Sequence, residues 1–126
     1  MKCLDASVVI EIFKGNPYFI RYTEEDFIMT DLTLAEACAI ILKQYNEKTS
    51  DYWFRKFYSY AKTISADLLY EAVKFRWKAK HKKLSFFDAT AYIFARKYQC
   101  TLVTMDNDFR HLPGVEFIRS KNPKPL

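Results

Sequence analysis

Four acidic residues stand at the ends of predicted secondary-structure elements, where carboxylates can gather around a metal ion. Two of them, Asp5 and Asp106, end predicted strands, and the other two, Glu36 and Asp88, lie in the first turns of predicted helices. Asp108 follows closely behind and is a weaker member of the same set. In an open parallel sheet, the carboxyl ends of the strands and the starts of the following helices lie along one edge. The sequence therefore predicts that these acids converge there.

The chemistry that suits such a set of acids is metal-dependent hydrolysis of a phosphodiester bond. Carboxylates held close together in a partly desolvated site repel one another, and a hard divalent cation relieves that repulsion. Mg²⁺ and Mn²⁺ both prefer oxygen ligands of this kind. A bound ion lowers the pKa of a water molecule, orients it for attack and neutralises the charge that builds on the phosphate.

Two small hydroxyl residues accompany the acids. Ser7 stands two residues after Asp5, and Thr104 stands two residues before Asp106. Each hydroxyl could orient a carboxylate or a metal-bound water without touching the metal itself. Each could equally be a local partner of the backbone, so the spacing alone leaves both roles open.

Helix capping is the competing explanation for each acid taken singly. Thr33 and Ser85 stand three residues before Glu36 and Asp88, and both pairs have the form of a capping box. The two acids that end strands can each cap the segment that follows, and Asp108 suits an ordinary turn. Capping does not explain why all of these acids should fall at one edge of the sheet. The joint pattern therefore favours a metal site.

Other catalytic toolkits are missing from the sequence. Only two glycines occur, so no glycine-rich loop can cradle a nucleotide phosphate, and no G-x-S-x-G elbow is present. The two histidines, His81 and His111, lie far apart and form no HExxH pattern. The cysteines are odd in number and lie in apolar segments, which indicates reduced core residues of a cytoplasmic protein: Cys3, Cys38 and Cys100. No apolar run has the length of a membrane span, and the N-terminus has no signal-peptide pattern.

Short apolar strands alternate with helices along the chain, which predicts an α/β fold with a mainly parallel central sheet. The predicted strands are "KCLD", "DFIMT", "CTLVTMD" and "VEFI". Helices are predicted in the segments "ASVVIEIFKG", "NPYFIRYTEE", "TLAEACAIILKQY", "SDYWFRKFYSYAK", "ADLLYEAVKFRWKAKH" and "SFFDATAYIF". No repeat or linker interrupts them, so residues 1–120 are predicted to form a single domain. The polar segment 121–126 is predicted to be a flexible tail.

The acids lie within four motifs that, taken in order, resemble the PIN domain. The motifs are "LDAS" at 4–7, "TLAEA" at 33–37, "SFFDATAYIFA" at 85–95 and "LVTMDNDF" at 102–109. Each motif is weak alone, but the ordered set runs over nearly the whole chain. The small size makes the sequence most similar to the VapC-type toxins of toxin–antitoxin pairs.

This resemblance implies a three-layer α/β/α sandwich and an endoribonuclease activity that depends on Mg²⁺ or Mn²⁺. It also implies a homodimer and a cognate antitoxin whose segment would occupy the active-site groove. Carried over to this sequence, the acidic quartet is Asp5, Glu36, Asp88 and Asp106, with Asp108 as an accessory acid and with Ser7 and Thr104 on supporting positions. Many relatives have a basic residue at the position of Met105, so the resemblance assigns no substrate contact there.

The charge balance favours a polyanionic partner such as RNA. The chain has 20 basic and 15 acidic residues, and five of the acids belong to the predicted site, which leaves 10 acidic against 20 basic residues elsewhere. The segment 74–83 holds a run of positive charge, and four of its lysines are predicted to bind RNA: Lys78, Lys80, Lys82 and Lys83. A solvated helix end would explain the same run.

An aromatic cluster at 52–60 is too large to lie on one buried helix face. Part of it is predicted to be core, and the exposed part suggests a surface for a dimer or an antitoxin more than for stacked bases.

Two other functions stay open at the level of sequence. The chain could be a catalytically silent PIN-like module that binds RNA or protein, although such a module has no reason to keep four acids together. It could also be an RNA-processing nuclease or a DNA nuclease with the same acidic site, because nothing in these residues reads a 2′-hydroxyl.

Overall fold

A five-stranded parallel sheet forms the centre of the fold in the computed structural model, which describes residues 1–79 and 83–122. The strand order is β3-β2-β1-β4-β5, and every neighbouring pair is parallel. The strands are β1 (Lys2–Leu4), β2 (Phe27–Thr30), β3 (Ala61–Lys62), β4 (Thr101–Thr104) and β5 (Val115–Phe117). The predicted α/β class with a parallel sheet is confirmed.

Six α-helices in the described residues cover both faces of this sheet. They are α1 (Ala6–Phe13), α2 (Pro17–Ile20), α3 (Asp31–Gln44), α4 (Glu47–Phe57), α5 (Ala66–Lys78) and α6 (Phe86–Lys97). Side chains that alternate along a strand point to opposite faces. Leu4 and Val103 accordingly pack with α1 to α4, whereas Cys3 and Leu102 pack with α5 and α6. The predicted three-layer sandwich is confirmed.

The strand order brings the ends of β1 and β4 together. Leu4 of β1 pairs with Val103 of β4, and the Asp5 N–H donates to the Val103 carbonyl (3.2 Å). Both strands are largely buried, as expected of central parallel strands covered by helices on both faces. The residues that follow them, Asp5 and Met105, therefore emerge side by side at the carboxyl edge of the sheet.

The helix predicted over residues 50–62 is wrong at its C-terminal end. Helix α4 ends at Phe57, a 3₁₀ turn covers Tyr58–Tyr60, and Ala61–Lys62 form the edge strand β3. Met29 of β2 pairs with Ala61, and the ring of Tyr60 stacks on that of Phe27 with centroids 4.2 Å apart. A strand of two residues is too short to show a periodic pattern in the sequence. It is extended because it pairs with β2.

The C-terminal segment contacts the body of the domain at least as far as Lys121. Asn16 Nδ2 donates to the Lys121 carbonyl (2.6 Å), and Lys121 Nζ lies 3.8 Å from Oε2 of the buried Glu11. Residues 123–126, most of the predicted flexible tail, lie outside the described residues. The boundary at residue 120 stays a prediction. No helix in the described residues is both long and apolar enough to cross a membrane.

Candidate active site at the carboxyl edge of the sheet

Asp5 is the most deeply buried acid of the predicted set, with only 3% of its surface exposed. It follows β1 directly and is the N-cap of α1, where Oδ1 accepts from the N–H groups of Ser7 (3.0 Å) and Val8 (3.3 Å). Burial, with a smaller contribution from the charge of Asp88, outweighs the hydrogen bonds that lower the pKa of this carboxyl and raises it to about 6. The acid therefore caps a helix and still faces another carboxylate.

The two predicted hydroxyl partners both bind Asp5. The Ser7 hydroxyl donates to Oδ1, and the buried Thr104 hydroxyl donates to Oδ2. Each hydroxyl oxygen also accepts from the loop that follows β4, Ser7 from the N–H of Met105 (3.1 Å) and Thr104 from that of Asp106 (2.9 Å). These four contacts fix the loops after β1 and β4 to one another, and thereby fix two acids at once.

Glu36 projects from the second turn of α3, not from its first turn as the sequence predicted. The helix begins at Asp31, and its N-cap is the fully buried Thr30, whose hydroxyl oxygen accepts from the Thr33 N–H (2.9 Å). The predicted capping box between Thr33 and Glu36 is therefore wrong, since Thr33 already lies inside the helix. Burial raises the pKa of the half-buried Glu36 to about 7, with further contributions from the charges of Asp88 and Asp5.

Asp88 forms the capping box that the sequence predicts with Ser85. The Ser85 hydroxyl oxygen accepts from the Asp88 N–H (3.0 Å), and Asp88 Oδ2 accepts from the Ser85 N–H (3.3 Å). This contact holds a half-buried carboxylate in the first turn of α6. Capping uses Oδ2 and leaves the other carboxylate oxygen outside the capping box. The structural and the chemical interpretations of this residue are thus compatible.

Asp106 follows β4 after one intervening residue and caps the short 3₁₀ turn Asn107–Phe109. Its Oδ1 accepts from the Asp108 N–H (2.9 Å). Burial raises the pKa of the Asp106 carboxyl, and so does interaction with Asp88, although the contacts with Asp108 lower it. Asp108 itself is half-buried in the same turn, so its clearest role in this structure is to hold Asp106 in place.

Asp88 is the electrostatic centre of the set, because its charge raises the pKa of each of the other three acids: Asp5, Glu36 and Asp106. The four come from the ends of β1 and β4 and from the first two turns of α3 and α6. Among the described residues, no lysine, arginine or histidine forms an ion pair with any of them. Within residues 1–79 and 83–122, these acids at the edge of the sheet are therefore grouped together without a paired positive charge.

The donors of this cluster fit a hard divalent cation. All are carboxylate oxygens, the ligands that Mg²⁺ and Mn²⁺ prefer, and a cation would relieve the repulsion among them. In the conformation described, no three His, Cys, Asp or Glu side chains of residues 1–79 and 83–122 already stand in metal-binding positions. The fit thus rests on donor chemistry and on the electrostatics of the cluster.

Met105 occupies the position where many PIN-like sequences are basic. Its half-buried side chain packs against the core beneath α1 to α4, and its N–H donates to Ser7. The position therefore contributes to the scaffold of the site and brings no positive charge to it.

Of the four lysines predicted to bind RNA, Lys78 and Lys83 are exposed at the end of α5 and just before α6. Lys80 and Lys82 lie outside the described residues. The aromatic cluster divides as predicted. Phe57 is buried and Trp53 is half-buried, and the exposed members are Tyr52, Phe54, Tyr58 and Tyr60.

Several solved structures with a similar fold are described as a toxin or as a toxin–antitoxin complex. A chain of a toxin–antitoxin complex from Klebsiella pneumoniae is 22% identical with a TM-score of 0.73, over 92% of this chain and 96% of that one. Mycobacterium tuberculosis VapC20, described as a toxin that cleaves the sarcin–ricin loop, is 16% identical with a TM-score of 0.76, over 95% and 98%. A chain of VapBC2 from Rickettsia felis, bound to a promoter DNA fragment, is 18% identical with a TM-score of 0.74, over 93% and 98%.

At these identities the structural likeness shows a shared fold, along nearly the full length of each chain. No curated protein matches the sequence. The family model of the PIN domain matches residues 2–115, a span that contains every acid of the candidate site. The chain therefore belongs to the PIN domain family.

Proposed function

We propose that this chain is a Mg²⁺- or Mn²⁺-dependent endoribonuclease and the toxin of a type II toxin–antitoxin pair. The observation that carries the proposal is the placing of four acids at the carboxyl edge of a PIN domain sheet, where hydrogen bonds of Ser7 and Thr104 join the loop of Asp5 to that of Asp106. Four acids with no basic partner in the described part of the chain are unfavourable to a domain that needs them only as helix caps. A bound divalent cation would relieve their mutual repulsion and give the acids a role in catalysis.

The proposed roles of the acids follow from where they lie. Asp5, Asp88 and Asp106 would hold the ion with Glu36, and Asp108 would support Asp106 through its N–H. When bound, the ion would supply a water of lowered pKa and neutralise charge on the phosphate. Ser7 and Thr104 would keep both oxygens of Asp5 aligned.

Glu36 has a further proposed role in proton transfer. Burial and the charges of Asp88 and Asp5 raise its pKa in the metal-free chain, and a carboxylate of raised pKa is the better proton acceptor for an attacking water. The residue reaches the cluster from α3. Of the other three acids, Asp5 follows β1, Asp88 lies in the first turn of α6 and Asp106 follows β4. It therefore approaches the reacting phosphate from a separate element of the fold.

The proposed partners are an RNA substrate, a cognate antitoxin and a second copy of the chain, in the cytoplasm. The net charge of +5 supports RNA binding, because the acidic site is surrounded by a chain that is otherwise strongly basic. The exposed aromatic side chains of α4 and the turn after it support a protein partner, since such residues are enriched at interfaces. The similarity to chains solved in toxin–antitoxin complexes supports an antitoxin in particular.

The test compares cleavage of one sequence as single-stranded RNA and as single-stranded DNA by the purified chain. We expect cleavage of RNA in Mg²⁺ or Mn²⁺, none in EDTA, and none by Asp5→Asn, whose fold is checked by circular dichroism. Preferred cleavage of DNA would replace the ribonuclease with a DNA nuclease. Binding of RNA without any cleavage would identify a silent module.

The toxin role has a separate test in the neighbouring gene. We expect a small adjacent gene encoding a DNA-binding protein whose coexpression relieves growth arrest by this chain. Growth that is unaffected by the chain alone would refute the toxin role and would leave the nuclease assignment standing.

A further inference from the structure

We propose that the cavity between the C-terminal end of α5 and the N-terminus of α6 binds a nucleotide of single-stranded RNA adjacent to the scissile phosphate, with its base stacked on Trp77. The proposal rests on the ribonuclease function and adds to it a site for a second nucleotide. The cavity has a volume of about 630 Å³, within the ~300–1,000 Å³ of ligand pockets. Its lining consists of Val73, Arg76, Trp77, Lys83, Leu84, Ser85 and Phe86.

Trp77 provides the flat apolar surface that a base requires. Its side chain is 72% exposed, the largest exposed fraction among the large hydrophobic residues described. No other described aromatic ring stacks on its indole, and no described cation lies over it. Every base has a π-face, so an exposed indole in a cavity offers a stacking surface that tolerates any sequence.

The wall of the cavity carries positive charge suited to a phosphate. Arg76 Nε donates to the Leu84 carbonyl (2.8 Å), which fixes the guanidinium against the wall, and Lys83 lies exposed beside it. Among the described residues, neither cation forms an ion pair, and no acid lines the cavity. A base on Trp77 with its phosphate at Arg76 and Lys83 would satisfy both features at once.

The cavity is joined directly to the acidic cluster through Ser85. This residue lines the cavity and also exchanges two hydrogen bonds with Asp88 in the capping box. Ser85 and Asp88 are three residues apart, which is less than one helical turn of ~5.4 Å along the axis. A strand whose phosphate lies at Asp88 would therefore have the neighbouring nucleotide within reach of the cavity.

A second copy of the chain is the competing occupant. Tyr70, Val73 and Trp77 are exposed on one side of α5, at spacings that could form an apolar contact between protomers. The two cations, and a described lining that contains no acid, favour an anionic nucleotide over this surface of a partner. The experiment below separates these two occupants through Tyr70, which lies on the same side of α5 but does not line the cavity.

The test uses the fluorescence of Trp77 as a direct signal of base stacking. The chain has two tryptophans, and Trp53→Phe leaves Trp77 as the only one. This variant is titrated with five-nucleotide single-stranded RNAs of each base in Ca²⁺, which shields the acids, and a gel confirms that the RNA stays intact. We expect saturable quenching by the RNAs. Absence of quenching while RNA still binds would overturn the proposal.

Affinity variants provide the second measurement, in the otherwise wild-type chain. Trp77→Ala should weaken RNA binding by about 5- to 150-fold, the range of one base–aromatic stack, and Trp77→Phe by much less. Lys83→Gln should reduce the salt dependence of binding by about 0.7 in the slope of log affinity against log salt. Tyr70→Ala is the matched control and should bind RNA as the wild type does.

Two results would overturn the nucleotide site. Unchanged RNA affinity in Trp77→Ala would remove the stacking role. A parallel loss of dimer by Trp77→Ala and Tyr70→Ala in sedimentation equilibrium, without a specific loss of RNA binding, would assign α5 to contact between protomers. Failure of the proposed nuclease function can be distinguished from failure of this site. A chain that cleaves no RNA but whose Trp77 fluorescence is quenched by RNA would refute the nuclease function and support the nucleotide site.

Discussion

The hydroxyl of Thr104 donates a hydrogen bond to Oδ2 of Asp5, across 99 residues of sequence. The contact joins the end of β4 to the end of β1, at two neighbouring strands in the middle of the sheet. It is completely buried, and the same hydroxyl oxygen accepts from the N–H of Asp106. One threonine therefore orients one acid of the site and positions the backbone of another.

Replacing Thr104 by valine should weaken metal binding without dismantling the fold. Valine keeps the shape of the side chain but removes the donor to Asp5 and the acceptor for Asp106, so we expect Mg²⁺ affinity to fall by about 10- to 100-fold. Loss of these buried partners should also lower the free energy of unfolding by about 1–3 kcal/mol. Isothermal titration calorimetry and urea unfolding measure the two effects.

Thr90→Val is the matched control for this change. Thr90 is also fully buried, but its hydroxyl donates to the Phe86 carbonyl within α6 (2.8 Å) and, among the described residues, forms no hydrogen bond with any of the acids. It should cost stability and leave Mg²⁺ affinity unchanged. Equal effects of the two variants on metal binding would show that Thr104 matters only for packing.

Asp88→Asn should separate the chemical role of this residue from its capping role. Asparagine keeps a side-chain oxygen for the Ser85 N–H, so stability should stay within about 0.5 kcal/mol or rise as repulsion among the acids is relieved. Cleavage of RNA should fall by on the order of 100-fold or more, because the acid that interacts with the other three is lost. Single-turnover cleavage and urea unfolding test both outcomes.

Ser85→Ala gives the reciprocal result if this assignment is correct. The variant removes the cap acceptor and keeps the carboxylate, so it should cost about 1 kcal/mol of stability and leave most of the cleavage rate. If Asp88→Asn loses mainly stability, capping is the whole role of Asp88.

The metal-free protein should become less stable as pH rises between about 4 and 7. Burial first of all raises the pKa of Asp5 from 3.8 to about 6 and that of Glu36 from 4.5 to about 7. In this window the folded state binds more protons than the unfolded state, so the free energy of unfolding falls as pH rises. The stabilisation is fully present below pH ~4 and is lost once pH passes the folded pKa values.

Urea unfolding in EDTA at a series of pH values measures this slope. Asp5→Asn removes one titrating group and should flatten the slope, by on the order of 2–3 kcal/mol across the window. Saturating Mg²⁺ should raise stability more at pH 7.5 than at pH 5, because deprotonated carboxylates bind the ion. A slope of opposite sign in EDTA would contradict the burial of Asp5.

The exposed aromatic side chains of α4 and of the turn after it should matter for binding a protein and not for cleavage. Phe54 is 43% exposed and Tyr58 is 64% exposed, and their rings lie 5.5 Å apart. The double variant Phe54→Ser/Tyr58→Ser should weaken binding of the cognate antitoxin by about 10-fold or more, as loss of aromatic anchors does at interfaces. Tyr98→Ser, at the exposed end of α6, is the control. Surface plasmon resonance measures the affinity, and a loss of RNA cleavage instead would place substrate on this surface.

The positions of the acids that follow strands could be predicted, because short apolar segments indicate central parallel strands. Asp5 and Asp106 follow "KCL" and "TLVT", both of which are buried from both faces, so their pattern reflects the fold directly. The Ser85–Asp88 capping box could also be predicted, because it depends only on residues three apart in the sequence.

What the sequence could not reveal depends on contacts between distant segments. The edge strand Ala61–Lys62 exists only because β2 lies beside it. Helix α3 begins at Asp31, whereas the sequence predicted a start at Thr33. Both Thr30 and Thr33 suit an N-cap, and Thr30 is the N-cap because it stands at the buried end of β2. The stacking cavity near Trp77 likewise depends on how α5 packs against α6, which periodicity alone does not determine.

The bond between Thr104 and Asp5 also has a consequence for protein synthesis. The site needs residues from both ends of the chain, so a nascent chain that stops before β4 contains neither Asp106 nor the partner that aligns Asp5. Domains fold from the N-terminus as they emerge from the ribosome, and contacts over long sequence separation form late. The ribosome that makes this chain therefore completes nearly the entire domain before the four acids of the candidate site can come together.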